Sequence, residues 1–121
     1  MAKSYYDVKL YENAVAWYLR KNEIASLTIN ELLYLGLSQK LLRDYRGADT
    51  TFGVILAKSP AYEYGWLQRA DINHKMDTAE VKAFLAKPYY DKYIELASAA
   101  PEKNKVGLIE AYLYMLVFSA Q

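Results

Sequence analysis

The sequence predicts an all-α protein built as an array of antiparallel helical hairpins. Three observations carry that reading. Tyr11, Ala14 and Tyr18 recur as Tyr45, Ala48 and Phe52, each 34 residues on, and the same interval links Leu32 to Trp66 and Gly36 to Ala70. Capping signatures and prolines fall where that period puts helix ends. No segment keeps the apolar–polar alternation of a half-buried strand. One hairpin of this size cannot bury its apolar face alone, so neighbouring hairpins must stack.

Each element follows from local chemistry. Extrapolating the register backwards puts Met1 in the middle of a helix and Tyr5–Tyr6 in that helix's last turn, with Tyr11, Ala14 and Tyr18 on the next. Thr28 and Glu31 form a capping box, each side chain satisfying the other's backbone N–H, and open a helix from Ile29 to about Leu42. Asp44 is the N-cap of a helix from Tyr45 to about Lys58, with Tyr45, Ala48, Phe52, Ile55 and Leu56 on one face. Ser59–Pro60 ends it, because the residue before proline is pushed out of the α region. A further helix spans about Ala61 to His74. Asp77 with Glu80 marks the start of a helical stretch reaching Ala97, with a kink or break at Ala86–Lys87 caused by Pro88. Pro101–Asn104 makes the next turn, and Val106 to Ala120 reads as the last helix. Five or six main helices stacked in a right-handed superhelical arc are expected.

The composition excludes several function classes. At 121 residues the chain is about one domain, and 54% hydrophobic residues are ample for a packed core. Fifteen basic and fourteen acidic side chains give a net charge of +1, without the basic excess of a nucleic-acid binder. With no cysteine there is no disulfide framework, thiolate nucleophile or cysteine-based zinc site. No run approaches the roughly 18 apolar residues of a membrane span, and the N-terminus lacks the apolar core of a signal peptide. A soluble chain is expected, in either the periplasm or the cytoplasm.

Within the unit 29–62, Leu32, Leu35 and Gly36, then Ala48, Phe52 and Pro60, resemble the first- and second-helix pattern of the tetratricopeptide repeat. Trp66 and Ala70 hold the corresponding places in the unit 63–100, whose second helix, Ala86 to Leu96, arrives four residues late through an insertion around Met76 to Val81. Residues 1–28 read as a partial repeat and 109–121 as the first helix of another, so the register cuts repeats at both ends and a fragment of a longer array is expected. The segments Tyr64–Ala70, Ala86–Tyr90 and Pro101–Lys105 are similar to a group of bacterial, often exported, multi-repeat proteins. The resemblance implies an α-solenoid in which small residues at Gly36 and Ala48 bring paired helices together and aromatics at Phe52 and Tyr90 fill the gap to the next hairpin. Trp66 is expected to be mostly buried against the Tyr45–Leu56 helix.

It also implies a non-catalytic protein-interaction scaffold, binding a protein or peptide segment in the concave groove or mediating assembly, with no cofactor. The groove residues are Asn30, Leu33, Tyr34, Leu37, Tyr64, Leu67, Gln68, Asp71, Leu113 and Tyr114. Tyr34, Tyr64 and Tyr114 lie off the core face, whereas Tyr45, Tyr90 and Tyr93 sit at core spacing. Repeat proteins that grip a C-terminal carboxylate use Lys, Asn and Arg on this surface; here those places hold Leu33, Leu37, Gln68, Glu110 and Tyr114, which disfavours such a clamp. A glycan-binding or cell-envelope module is the alternative, since tyrosine faces stack on sugar rings. His74, the lone histidine, belongs to the carbonyl end of its helix rather than to a metal site. Asp71 and Asp77 have no accompanying nucleophile and read as surface carboxylates. Arg69 stands at an apolar position of the repeat and needs a carboxylate, Asp49 or Glu95. In the last helix Leu113, Leu116, Val117 and Phe118 cover more than one face, which predicts self-association through that helix.

Overall fold

The computed structural model describes residues 5–76 and 85–119, with side chains over 8–76 and 85–117. Six α-helices and no strand are present among the described residues: α1 (Tyr5–Ile24), α2 (Ile29–Leu41), α3 (Tyr45–Lys58), α4 (Glu63–Met76), α5 (Lys87–Ala97) and α6 (Lys105–Ser119). They divide into two compact units, Met1–Lys58 and Ser59–Gln121, the division falling at the Ser59–Pro60 break. Within each unit, consecutive helices pack on one another.

In the first unit the capping box forms as the sequence predicts. The Glu31 N–H donates to Thr28 Oγ1 at 3.2 Å, and the Thr28 N–H donates to Glu31 Oε1 at 3.0 Å. Lys21 of α1 pairs with the other oxygen of Glu31, which joins α1 to the start of α2. Those two bonds, Lys21 first, hold the Glu31 carboxyl below its usual range. At the far end of α2 the Asp44 N–H donates to Gln39 O and the Arg43 N–H to Lys40 O, with Arg43 left-handed at φ 65°. This is a Schellman turn built without glycine. Asp44 then accepts from the Gly47 N–H at 3.2 Å and opens α3. Leu32, Leu35, Ala48, Phe52, Ile55 and Leu56 form the core. A Cβ on Gly36 would lie 2.8 Å from Phe52 Cε2, so glycine is what lets α2 approach the ring.

The second unit repeats that scheme with larger residues. Ala70, Ala86, Tyr90, Tyr93, Ala97, Leu108, Ala111 and Tyr114 form its core. Ala86 and Tyr90 stand where Ala48 and Phe52 stand in the first unit, displaced by the four extra residues. Pro88 lies in the first turn of α5, where its missing N–H is one the helix does not use, so the predicted kink is a helix start. The expected Asp77–Glu80 cap lies outside the described residues. Asn104 Nδ2 donates to the Ala97 and Ala100 carbonyls across the turn before α6. A Cβ on Gly107 would overlap the Tyr93 hydroxyl, so glycine again sets the approach, here of α6 to α5.

Two expectations need correction, those for the start of α1 and for Tyr114. Helix α1 runs unbroken from Tyr5 to Ile24, so no turn follows Tyr5–Tyr6; nothing in 5–24 is a glycine or proline that would make one. Trp66 is partly buried and packs against the core of the second unit. Its Nε1 donates to the Pro60 carbonyl at 2.8 Å and its ring stacks near Tyr89, which holds one edge of the indole at the surface. Tyr114 is core, only 6% exposed, because α6 turns its Gly107–Ala111–Tyr114 face inward. Of the two carboxylates offered to Arg69, Glu95 pairs with Lys92, and the Arg69 guanidinium lies over the Tyr89 ring, 4.8 Å from its centre.

Candidate functional site

The second unit carries a groove of about 670 Å³ between α4 and α6, floored by α5. One wall is aliphatic. Val106, Ile109, Leu113 and Val117 recur at spacings of three and four residues along α6 and are exposed. This spacing puts them on one helical face. The other wall is polar, made by Asp71, His74 and Lys75 of α4. Lys75 pairs with Asp71 at 3.0 Å, one turn back on the same helix, and His74 stands edge-on to the Tyr114 ring at 5.1 Å.

The floor is aromatic and fixed. Tyr90 and Tyr114 lie 4.7 Å apart between ring centres. The Tyr90 hydroxyl donates to Glu110 Oε2 at 2.8 Å. Burial, the bond to Glu110 and the negative charges of Glu110 and Asp71 push the Tyr90 phenol well above its ordinary value of 10. It therefore remains a neutral donor, and Glu110 is held in place from below. Such a floor orients the side chains around it.

Of the predicted groove residues, Asp71, Leu113 and Tyr114 come together here, Tyr114 beneath the surface. Tyr64 and Leu67 instead line a smaller groove of about 390 Å³ with Tyr62, Tyr93, Lys103 and Gly107. Lys103 approaches Glu63 at 3.6 Å along its rim, and burial raises the Tyr62 and Tyr93 phenols. Gln68 is half-buried on α4. In the first unit Asn30, Leu33, Tyr34 and Leu37 share one face of α2, with Asn30 and Tyr34 exposed. Val106 and Ile109 were missed as groove walls, although their spacing to Leu113 and Val117 is legible in the sequence. Leu113, Leu116 and Val117, the predicted self-association residues, are exposed at 58, 68 and 59%. The side chain of Phe118 lies outside the described residues.

No family model matches this chain, and no curated protein or solved structure matches it. No described helix is long and apolar enough to cross a membrane.

Proposed function

We propose that this chain is a non-catalytic interaction module, a tetratricopeptide-like array that holds an apolar face of a protein partner in the α4–α6 groove of its second unit. The observation that carries the reading is the composition of α6. Tyr112, Leu116, Ile109, Leu113, Val106 and Val117 are spread around its exposed side, interrupted there by one charge, Lys105 in the first turn. A helix apolar on nearly every face is normally covered. Exposed patches of this kind mark interaction sites more often than they occur by accident. The aliphatic wall supports a protein partner over a glycan, for which stacked aromatic faces would be the better surface.

A photo-crosslinking residue at Ile109 tests this, with Ala99 as an exposed control in the same unit. Adducts at position 109 that are absent at 99 and disappear with Leu113→Glu support the reading. Identical adducts at both positions would overturn it.

The same largely apolar arc also supports self-association through α6. Light scattering should then show a species larger than one chain, shifted towards monomer by the pair Leu113→Glu and Val117→Glu. A monomer at high concentration before any substitution counts against it.

A further inference from the structure

A second groove lies wholly within the first unit, about 520 Å³, between the end of α1 and helices α2 and α3. This falls within the range of ligand sites, roughly 300–1,000 Å³. Leu27, Leu32 and Leu35 make a buried apolar floor, and Leu19 and Val54 stand exposed at its sides. Its lining includes no carboxylate. It includes two cations, Arg46 and Lys58, at opposite ends of α3. Neither has an ion-pair partner among the described residues.

Gln39 supplies a hydrogen-bond donor on the groove wall. It is 5% exposed and lines this groove. Its Oε1 accepts from the Thr51 hydroxyl at 2.6 Å. Its amide nitrogen donates to nothing among the described residues. That nitrogen is open to the groove, where it can donate to an acceptor on a bound segment.

We propose that this groove takes an extended, acidic peptide segment. The chemistry at each point selects that occupant. The Gln39 nitrogen and the Asp44 carboxylate both border Gly47. An anion at Gln39 would be repelled by Asp44, so the acceptor there is a neutral carbonyl. A helical ligand has its carbonyls committed to its own backbone, whereas an extended chain offers them freely. Arg46 and Lys58 are twelve residues apart on one helix, about 18 Å at ~1.5 Å per residue. A small carboxylic acid can reach one of them. An extended segment reaches both with acidic side chains about five or six residues apart, at ~3.3 Å per residue. Its apolar side chains between them cover Leu27, Leu32 and Leu35.

The test is an array of random peptides about eight residues long, probed with the full chain and with the variant Arg46→Glu, Lys58→Glu. Both positions are exposed, so folding is preserved. Binders of the unaltered chain should be enriched in acids flanking apolar residues, and the variant should bind the best of them about tenfold more weakly or prefer basic ones. Addition of the best binder should also shift the Gln39 side-chain amide signals in the NMR spectrum of the unaltered chain. Leu113→Glu in the other unit should leave this binding intact, which separates it from the α4–α6 groove. Binders without acidic preference, affinity indifferent to the double variant, or unmoved Gln39 signals would each overturn the proposal.

Discussion

The two units solve the same packing problem with different chemistry, and the difference explains where each has its groove. In the first, Ala48 and Phe52 meet Gly36, and the centre is purely apolar. In the second, Ala86 and Tyr90 take those places, and the added hydroxyl must find an acceptor. It finds Glu110 on α6, which anchors an acidic, aromatic floor beneath an aliphatic wall. The first unit keeps its buried polar pair elsewhere, at Gln39 and Thr51, on the side facing α1. One phenolic oxygen thus moves the polar part of the interior from one face of the hairpin to another.

The sharpest way to break this equivalence is to truncate both aromatics. Phe52→Ala and Tyr90→Ala should each cost about 3–5 kcal/mol in denaturant melts, the usual scale for a core aromatic. A loss below about 1 kcal/mol at either would mean that the two positions are not counterparts.

The close approaches come next. Gly36→Ala and Gly107→Ala each gain up to about 1 kcal/mol of helix propensity. Both push a methyl into a fixed ring, an overpacking cost of about 1–3 kcal/mol. Net destabilisation at both is expected, and a stabilised variant would show that the helices can separate freely.

Tyr90→Phe isolates the difference itself. Removing the hydroxyl should cost about 0.5–1.5 kcal/mol through the lost bond to Glu110. It should also alter the alkaline limb of stability. The folded-state value for Tyr90 is raised, so its contribution is complete below pH 10 and is lost as pH climbs above that, where the unfolded chain ionises first. Urea melts above pH 10 should therefore fall more steeply for the unaltered chain than for the phenylalanine variant. Parallel curves would mean that the phenol is not shielded.

The smallest effect has the opposite sign and belongs to the first unit. Arg43 is left-handed, a conformation that costs a residue with a Cβ about 1 kcal/mol. Arg43→Gly should raise the stability by a few tenths to about 1 kcal/mol, less the loop entropy glycine adds. Destabilisation would point to a role for the guanidinium in the turn.

Much of the architecture was written locally. Thr28 with Glu31, Asp44, and Ser59–Pro60 each act on the backbone within a few residues, so α2 and α3 begin and end almost where the pattern puts them. The apolar spacing of α6 was equally plain. Where the sequence misled, a partner distant along the chain decided. Tyr114 sits at a surface position by repeat register, but Tyr90 and Ala111 draw it into the core. Trp66 packs against the core as its position suggests, with its N–H spent on the Pro60 carbonyl. The break expected after Tyr6 came from extending a period to a segment with no residue that stops a helix. Nor could the sequence mark Arg43 as left-handed, since glycine usually signals that cap. The sequence alone determined that the chain is helical, where most helices cap, and which faces are apolar, because those depend on neighbours within one or two turns. Tertiary structure decided which apolar faces meet and which polar groups remain unspent at their edges, because those depend on residues that only folding brings together.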